Sequence, residues 1–463
     1  MQNKTPENMH IVRFGTAADQ KYLLDEYLNT YGMLIINANI LAHMPSALAS
    51  FLSVRAGNKP YFIDPQTHAF QHDVAYIESS SEKRKGEIKT SIQKLADAYG
   101  NPVQLRIQKH NSVIPSDFKN ASAIKEFCER VIGYQLNTIP NEIKKSDTEK
   151  YFRYLKQEDG AKLYKVGSPH IIVAPYFYMT SNTIDDWIEV NIKCASESKN
   201  ISFARNGKVE FAIQIVISRE LLANRDKLNL LIDRYKSVNP NKFLIWIDSF
   251  SEQEASEEEL NNYVYYIKEL GKAAPVINLY GGYFSVMLYK CKALGCLKGV
   301  SHGLEYGESR GVVPVGGGIP TAKYYFPILH TRLSFRDALR AIRAVGGMNS
   351  VSEFYKNVCD CKMCKSIIKR DPENDFQEYG KSRNVRFARK GLTVNIDYPL
   401  PKTKDNSVRH YMWCKYKEYN EKCDLESFKN ECKSIKLKLE RAIGLENIAH
   451  CNVWLRVLEN INK

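Results

Sequence analysis

Apolar residues in this chain gather in short, nearly continuous runs at 33–41, 61–64, 170–179, 211–218, 243–248, 276–280, 297–302 and 324–329. None alternates strictly with polar residues, which is the pattern of strands buried on both faces in a parallel sheet. Stretches of helical periodicity lie between many of them. The clearest, 251–271, opens on Ser and Glu and closes on a glycine, the start and stop signals of a helix. Shorter ones fall at 183–199 and 285–294. Eight strands with intervening helices predict an α/β fold, a (β/α)8 TIM-type barrel; an open, doubly wound six-stranded sheet is the alternative. The interval 73–165 exceeds a simple crossover and is rich in Lys and Glu. It predicts helices at 81–99, 118–134 and 148–158, a helical insertion over the barrel rim. The organisation expected is a barrel over 1–333 and a C-terminal helical region over 334–463. That second region opens on a helix at 335–345, continues as a polar stretch to Pro401, and ends in basic helices over 407–440.

Composition narrows the partners. The chain has 66 Lys and Arg against 52 Asp and Glu, a formal charge of +14. Such an excess favours polyanions, with nucleic acid (tRNA or DNA) the foremost partner and protein partners a further possibility. No run of 18 apolar residues exists, so no membrane span is expected. The segment from Met1 to His10 is polar and lacks the apolar core of a secretory signal. A cytoplasmic protein with reduced thiols is the expectation for its 11 cysteines.

Three of those cysteines change the picture. Cys359, Cys361 and Cys364 form a C-x-C-x-x-C cluster. So short a loop can turn three sulfurs onto one point, which suits a structural Zn²⁺ ion with Zn–S bonds of about 2.3 Å. Lys356, Lys362 and Lys365 lie beside it and favour thiolates. The fourth ligand must come from downstream, where His410, Cys414 and Cys423 are the candidates.

In a barrel of this kind, chemistry sits at the C-terminal ends of the strands. Seven of the eight predicted ends carry polar groups. Asp64 and Asp248 each follow apolar residues and are either helix caps or catalytic carboxylates. His68 and His302 are strand-end histidines able to move protons near neutral pH. Gln214 lies within a strand and Asn278 ends one. The glycines Gly316, Gly317 and Gly318, with Arg310 ahead of them, offer backbone amides and a guanidinium to a phosphate.

Taken together, the barrel, the C-x-C-x-x-C loop and Gly303-Leu304-Glu305-Tyr306-Gly307-Glu308 resemble the tRNA-guanine transglycosylase superfamily, including relatives that insert deazaguanine bases into DNA. The second motif is similar to that family's base-binding loop, G-G-L-x-x-G-E, with His302 in place of the first glycine. In the family a histidine completes the zinc site about two dozen residues on; here the next one is His410, 46 residues beyond Cys364. The family's nucleophile motif, Phe-Asp followed by Pro-Thr-Arg, has no counterpart in the chain. The resemblance implies binding of a base within RNA or DNA.

A transglycosylase-like enzyme that exchanges or removes a base needs a carboxylate under the sugar and an acid or base near the departing base. Asp248 is the candidate nucleophile and Asp64 the candidate acid/base, with His68 and His302 assisting. Gln214, Asn278 and Glu305 are the candidates for reading the base edge. The alternative is a non-catalytic zinc-containing barrel that binds nucleic acid or a partner, for example in a defence system. A phosphate-handling enzyme built on the triple glycine is a third possibility.

Overall fold

A computed structural model describes residues 9–15, 21–23, 25–56, 59–79, 81, 84–158, 160–206, 209–291, 294–304, 307–313, 323–389, 392–421 and 424–461. The chain forms two compact units. The first comprises 1–251, 261–282 and 294–315, and the second 252–260, 283–293 and 316–463.

The first unit is a closed barrel of eight parallel strands: β1 (Met9–Phe14), β2 (Met33–Asn37), β3 (Tyr61–Asp64), β4 (Ile171–Val173), β5 (Glu210–Ile217), β6 (Lys242–Ile247), β7 (Val276–Asn278) and β8 (Leu297–Gly303). The number of strands matches the sequence expectation, but membership shifts by one. β1 was not foreseen, because His10 and Arg13 break its apolar run. It closes the barrel by pairing Val12 with Leu34 of β2 and with His302 of β8. The run at 324–329, expected as the eighth barrel strand, belongs to the second unit. There β9 (Lys323–Phe326) pairs antiparallel with β10 (Thr331–Ser334).

Period-two alternation fixes which side chains face the barrel axis. Ile11, Met33, Ile35, Phe62, Ile171, Val173, Ala212, Val216, Leu244, Trp246 and Ile277 pack together there. The long segment between β3 and β4 contains helices Thr90–Tyr99, Val103–Gln108, Ala121–Ile143 and Ser146–Glu158. From the third of these, buried Gln135 serves the three-residue β4: its Nε2 donates to the Val173 carbonyl at 2.8 Å and its Oε1 accepts from the Val173 amide at 2.9 Å. That supplies hydrogen bonds a short strand cannot find along its whole length.

The second unit has its own core, in which Tyr324, Phe354, Phe376, Tyr411 and Leu439 pack around the cysteine cluster. The stretch before Pro401, expected only as a polar stretch, folds as helix Pro372–Tyr379 and an antiparallel hairpin, β11 (Ser382–Arg389) and β12 (Leu392–Pro399). This unit also buries ionised groups. Glu418 accepts from Lys415 Nζ at 2.7 Å and from His330 Nδ1 at 2.8 Å, and Tyr325 donates its hydroxyl to the same carboxylate. Burial alone would raise the Glu418 pKa, but Lys415 and His330 outweigh it and hold it at about 2. For His330, burial opposes the charge while Glu418 and Glu431 raise the pKa above 6.5.

A depressed carboxyl pKa stabilises above its unfolded value near 4.5 and loses that contribution as pH falls. A raised histidine pKa stabilises below 6.5 and loses its contribution as pH rises through the folded value. The second unit is therefore expected to be most stable between those two limits. Denaturation midpoints across pH check this. Glu418→Gln should flatten the acid limb, and a wild-type profile with no acid limb contradicts the arrangement.

Candidate functional site

Two constellations of reactive side chains stand out, one in each unit. In the barrel, β3 delivers Asp64 to the interior at its C-terminal end, two residues beyond interior Phe62. Asp64 is buried. Its Oδ1 accepts from the Tyr176 hydroxyl at 2.6 Å and from the Gln66 amide at 3.1 Å. Burial raises its pKa, and those bonds together with the charges of Arg310 and Arg13 oppose the shift only in part. The carboxyl is therefore held above the usual carboxylate range. Gly303 leaves room for Arg13: a Cβ there would lie 3.2 Å from its Nη2.

His68 follows on a short 3-10 turn. Its ring stacks on Tyr176, with centroids 5.2 Å apart, and meets the edge of Trp246 at 5.3 Å. Burial, then His72 and Arg310, push its pKa well below 6.5, so it is a neutral imidazole. Its Nδ1 is buried with no hydrogen-bond partner among the described residues. Trp246 also meets Tyr280 at 4.9 Å, and the Arg310 guanidinium lies 5.8 Å from both ring centroids. The Trp246 Nε1 donates to the Arg310 carbonyl at 3.0 Å, which ties the loop after β8 to the end of β6.

Asp248 stands just beyond β6, half-buried. It caps no helix: the next one begins at Glu257. Its Oδ2 accepts from the Tyr178 hydroxyl at 2.9 Å, and its Oδ1 from the Val312 amide at 2.9 Å and the Ser249 hydroxyl at 3.0 Å. Tyr178 in turn meets His72, and His72 meets His68, each with centroids 6.0 Å apart. Asp64, His68 and Asp248 thus belong to one chain of touching groups. The turns after both carboxylates contain a non-glycine residue in the left-handed region, Gln66 at φ 51° and Ser249 at φ 52°. Each costs roughly 1–2 kcal/mol relative to ordinary backbone, a cost that recurs at functional sites.

Gln214 points into the barrel between interior Ala212 and Val216. It is fully buried, and neither its Oε1 nor its Nε2 has a hydrogen-bond partner among the described residues. An unsatisfied buried amide costs about 1–3 kcal/mol per group, so its place in an apolar interior calls for an explanation beyond folding.

Two of the sequence candidates lie elsewhere. His302 pairs in register with Val12, next to interior Ile11, and so faces the outside of the barrel; its Nε2 meets His10 Nε2 at 2.6 Å. That alternation corrects the expectation that His302 assists the two carboxylates, which lie on the inner side. Asn278 also faces outward and donates to the Tyr263 hydroxyl at 2.6 Å. Arg310 joins the aromatic group described above. Glu305, Gly316, Gly317, Gly318 and Cys423 lie outside the described residues. Tyr176, Trp246 and Tyr280 were missed by the sequence reading, because aromatic residues at the end of an apolar run look like core, and Arg13 because its strand β1 was itself not foreseen.

The second constellation is the cysteine cluster. The ligand atoms of Cys359, Cys361, Cys364 and His410 all lie within 4.8 Å of one another, and all four residues are buried. His410 Nδ1 is 3.3 Å from the Cys361 sulfur and 3.4 Å from that of Cys364. Tetrahedral bonds of about 2.0–2.3 Å put ligand atoms roughly 3.3–3.8 Å apart, so a metal ion fits among them. His410 Nε2 donates to the Tyr325 carbonyl at 2.7 Å, which fixes the tautomer and turns the Nδ1 lone pair toward the sulfurs. Cys361 caps helix Lys362–Ile367, with its sulfur 3.4 Å from the Cys364 amide. The sulfurs of Cys359, Cys364 and Cys414 hold its pKa well below the usual thiol range.

Cys414 sits one helical turn after His410. Its sulfur is 3.9 Å from that of Cys359 and 3.6 Å from His410 Nε2. Cys359 and Cys414 also line a cavity of about 440 Å³. Among the described residues no helix is long and apolar enough to cross a membrane. No protein-family model matches the chain, and no curated protein matches it.

Proposed function

We propose that the protein is a zinc-containing, transglycosylase-like enzyme that exchanges or removes a base in nucleic acid at the barrel mouth. The observation that carries this reading is the buried, unpartnered Gln214 amide inside a barrel whose strand ends gather the rings of Trp246, Tyr280, Tyr176 and neutral His68. A planar heterocycle is the ligand such a place suits, since it stacks on rings and offers a donor–acceptor edge to an amide. The base must leave its stack to get there. Arg310, on the loop after β8, is available to a phosphate.

In the proposed reaction a carboxylate oxygen of Asp248 bonds to the sugar C1′. The glycosidic C–N bond breaks, its electron pair passes to the base nitrogen, and Asp64 supplies the proton. An incoming base, giving its proton to Asp64, or a water then displaces Asp248. The half-buried position of Asp248 suits contact with a sugar at the mouth, and the deeper, upshifted Asp64 suits the base. The zinc identity rests on the donor set: three thiols and an imidazole are soft-to-borderline ligands that favour Zn²⁺ over Mg²⁺ or Ca²⁺. The similarity to the tRNA-guanine transglycosylase superfamily points the same way. A non-catalytic nucleic-acid or partner-binding barrel is favoured by one observation, the three protein hydrogen bonds already made by Asp248.

Asp248→Asn separates the two. It should cut base release or exchange by roughly 10³-fold or more. Nucleic-acid affinity should change little, because phosphate contacts dominate binding. Full turnover in the variant would leave Asp248 a tether of the loop after β8 and remove the nucleophile from the scheme.

A further inference from the structure

We infer that the hairpin β11–β12 is an arm that enters the major groove of duplex DNA. This rests on the nucleic-acid part of the function proposed above and narrows it to DNA. The arm occupies the unusually long interval between Cys364 and His410. Its strands pair from Ser382–Pro399 at the root to Arg389–Leu392 at the tip. Eight residues per strand at about 3.4 Å each give a ribbon about 27 Å long. The root is fixed: the Leu400 amide and the Thr403 hydroxyl both donate to the Lys381 carbonyl, at 3.2 and 2.7 Å, and Pro399 is buried. Helix Pro401–Asn420, which continues from that root, carries His410 and Cys414. The group of Cys359, Cys361, Cys364 and His410 is therefore joined to the root of the arm through that helix.

Alternation divides the ribbon into two faces. One holds the cross-strand pairs Asn384–Asp397 and Arg386–Asn395, all four residues exposed. The other pairs Val385 with Ile396 and Arg383 with Tyr398, the guanidinium lying 6.0 Å from the ring. Residues 381–400 hold five Lys or Arg and one acid. A lone two-stranded ribbon is marginal in water, and cationic edges by themselves serve to block edge-to-edge aggregation. Arg and Asn on one polar face go further, since they are the side chains that pair with guanine and adenine edges. The major groove of B-form DNA, about 12 Å wide, admits a two-stranded ribbon. The major groove of A-form RNA is too narrow and deep for one.

The test uses the full-length, metal-loaded protein and labelled DNA and RNA duplexes of one sequence, titrated over a range of salt. Wild type should bind the DNA duplex more tightly. Arg386→Ala combined with Asn395→Ala should weaken DNA binding about tenfold or more and leave RNA binding, melting temperature and metal content unchanged. A variant that binds DNA within twofold of wild type, or a wild type that prefers RNA, overturns the arm while the base-handling function stands. A wild type that binds neither duplex nor any single strand overturns both.

Discussion

Replacing Cys361 with serine is expected to take the protein from near-stoichiometric metal to almost none. It should also unfold much of the second unit. Cys361 is one of the four groups placed to hold the ion and caps the helix that holds Cys364, so its loss removes a ligand and a cap together. The cluster lies inside the core formed by Tyr324, Phe354, Phe376 and Tyr411, and Tyr324 stacks on His410 at 4.3 Å. Structural zinc contributes on the order of 10–16 kcal/mol in small zinc-dependent domains, far more than one buried contact supplies. The barrel has a separate core and should keep its own melting transition. Metal analysis with calorimetry checks both statements. An unchanged melting profile in metal-free Cys361→Ser would mean that the second unit folds without an ion.

The second large effect has two opposite signs. Gln214→Leu should make the free protein more stable by about 1–3 kcal/mol, because it removes an unsatisfied buried amide and keeps the volume. The same change should lower kcat/KM for the proposed base-exchange reaction about a hundredfold, the worth of two hydrogen bonds to a desolvated ligand. A residue kept for packing alone would show one sign or neither. Thermal melting and steady-state kinetics on the same preparation read both. A destabilised variant with full activity would make Gln214 an ordinary core residue and remove the base-reading edge.

Much of this was legible because the residues concerned are local. Seven strands announced themselves as apolar runs flanked by turns, and the C-x-C-x-x-C cluster placed three ligands within six residues. The choice between His410 and Cys414 was not legible. Both lie on one face of the same helix, and the contact of His410 with the Tyr325 carbonyl, which orients its ring, is a tertiary one. β1 was hidden by His10 and Arg13, whose polarity is satisfied only once the barrel closes. His10 then meets His302, and the charge of Arg13 reaches Asp64. The same register explains why His302 misled. A strand-end residue points into the barrel or out of it according to parity, and a one-residue shift changes the answer. The hairpin was visible in principle, as the alternation Arg383, Val385, Phe387 facing Val394, Ile396, Tyr398 across Lys390-Gly391. Its charges disguised it as an unstructured-looking polar stretch.

The central claim is that Asp248 attacks the sugar of a nucleotide whose base sits at the barrel mouth. Trapping tests it most directly: metal-loaded wild type is incubated with nucleic acid, denatured, digested and mapped by mass spectrometry. The expected result is a nucleotide adduct on the peptide containing Asp248, with free base released in equal amount and neither product formed by Asp248→Asn. Folded, metal-loaded, nucleic-acid-bound protein that yields no adduct and no free base would contradict the claim.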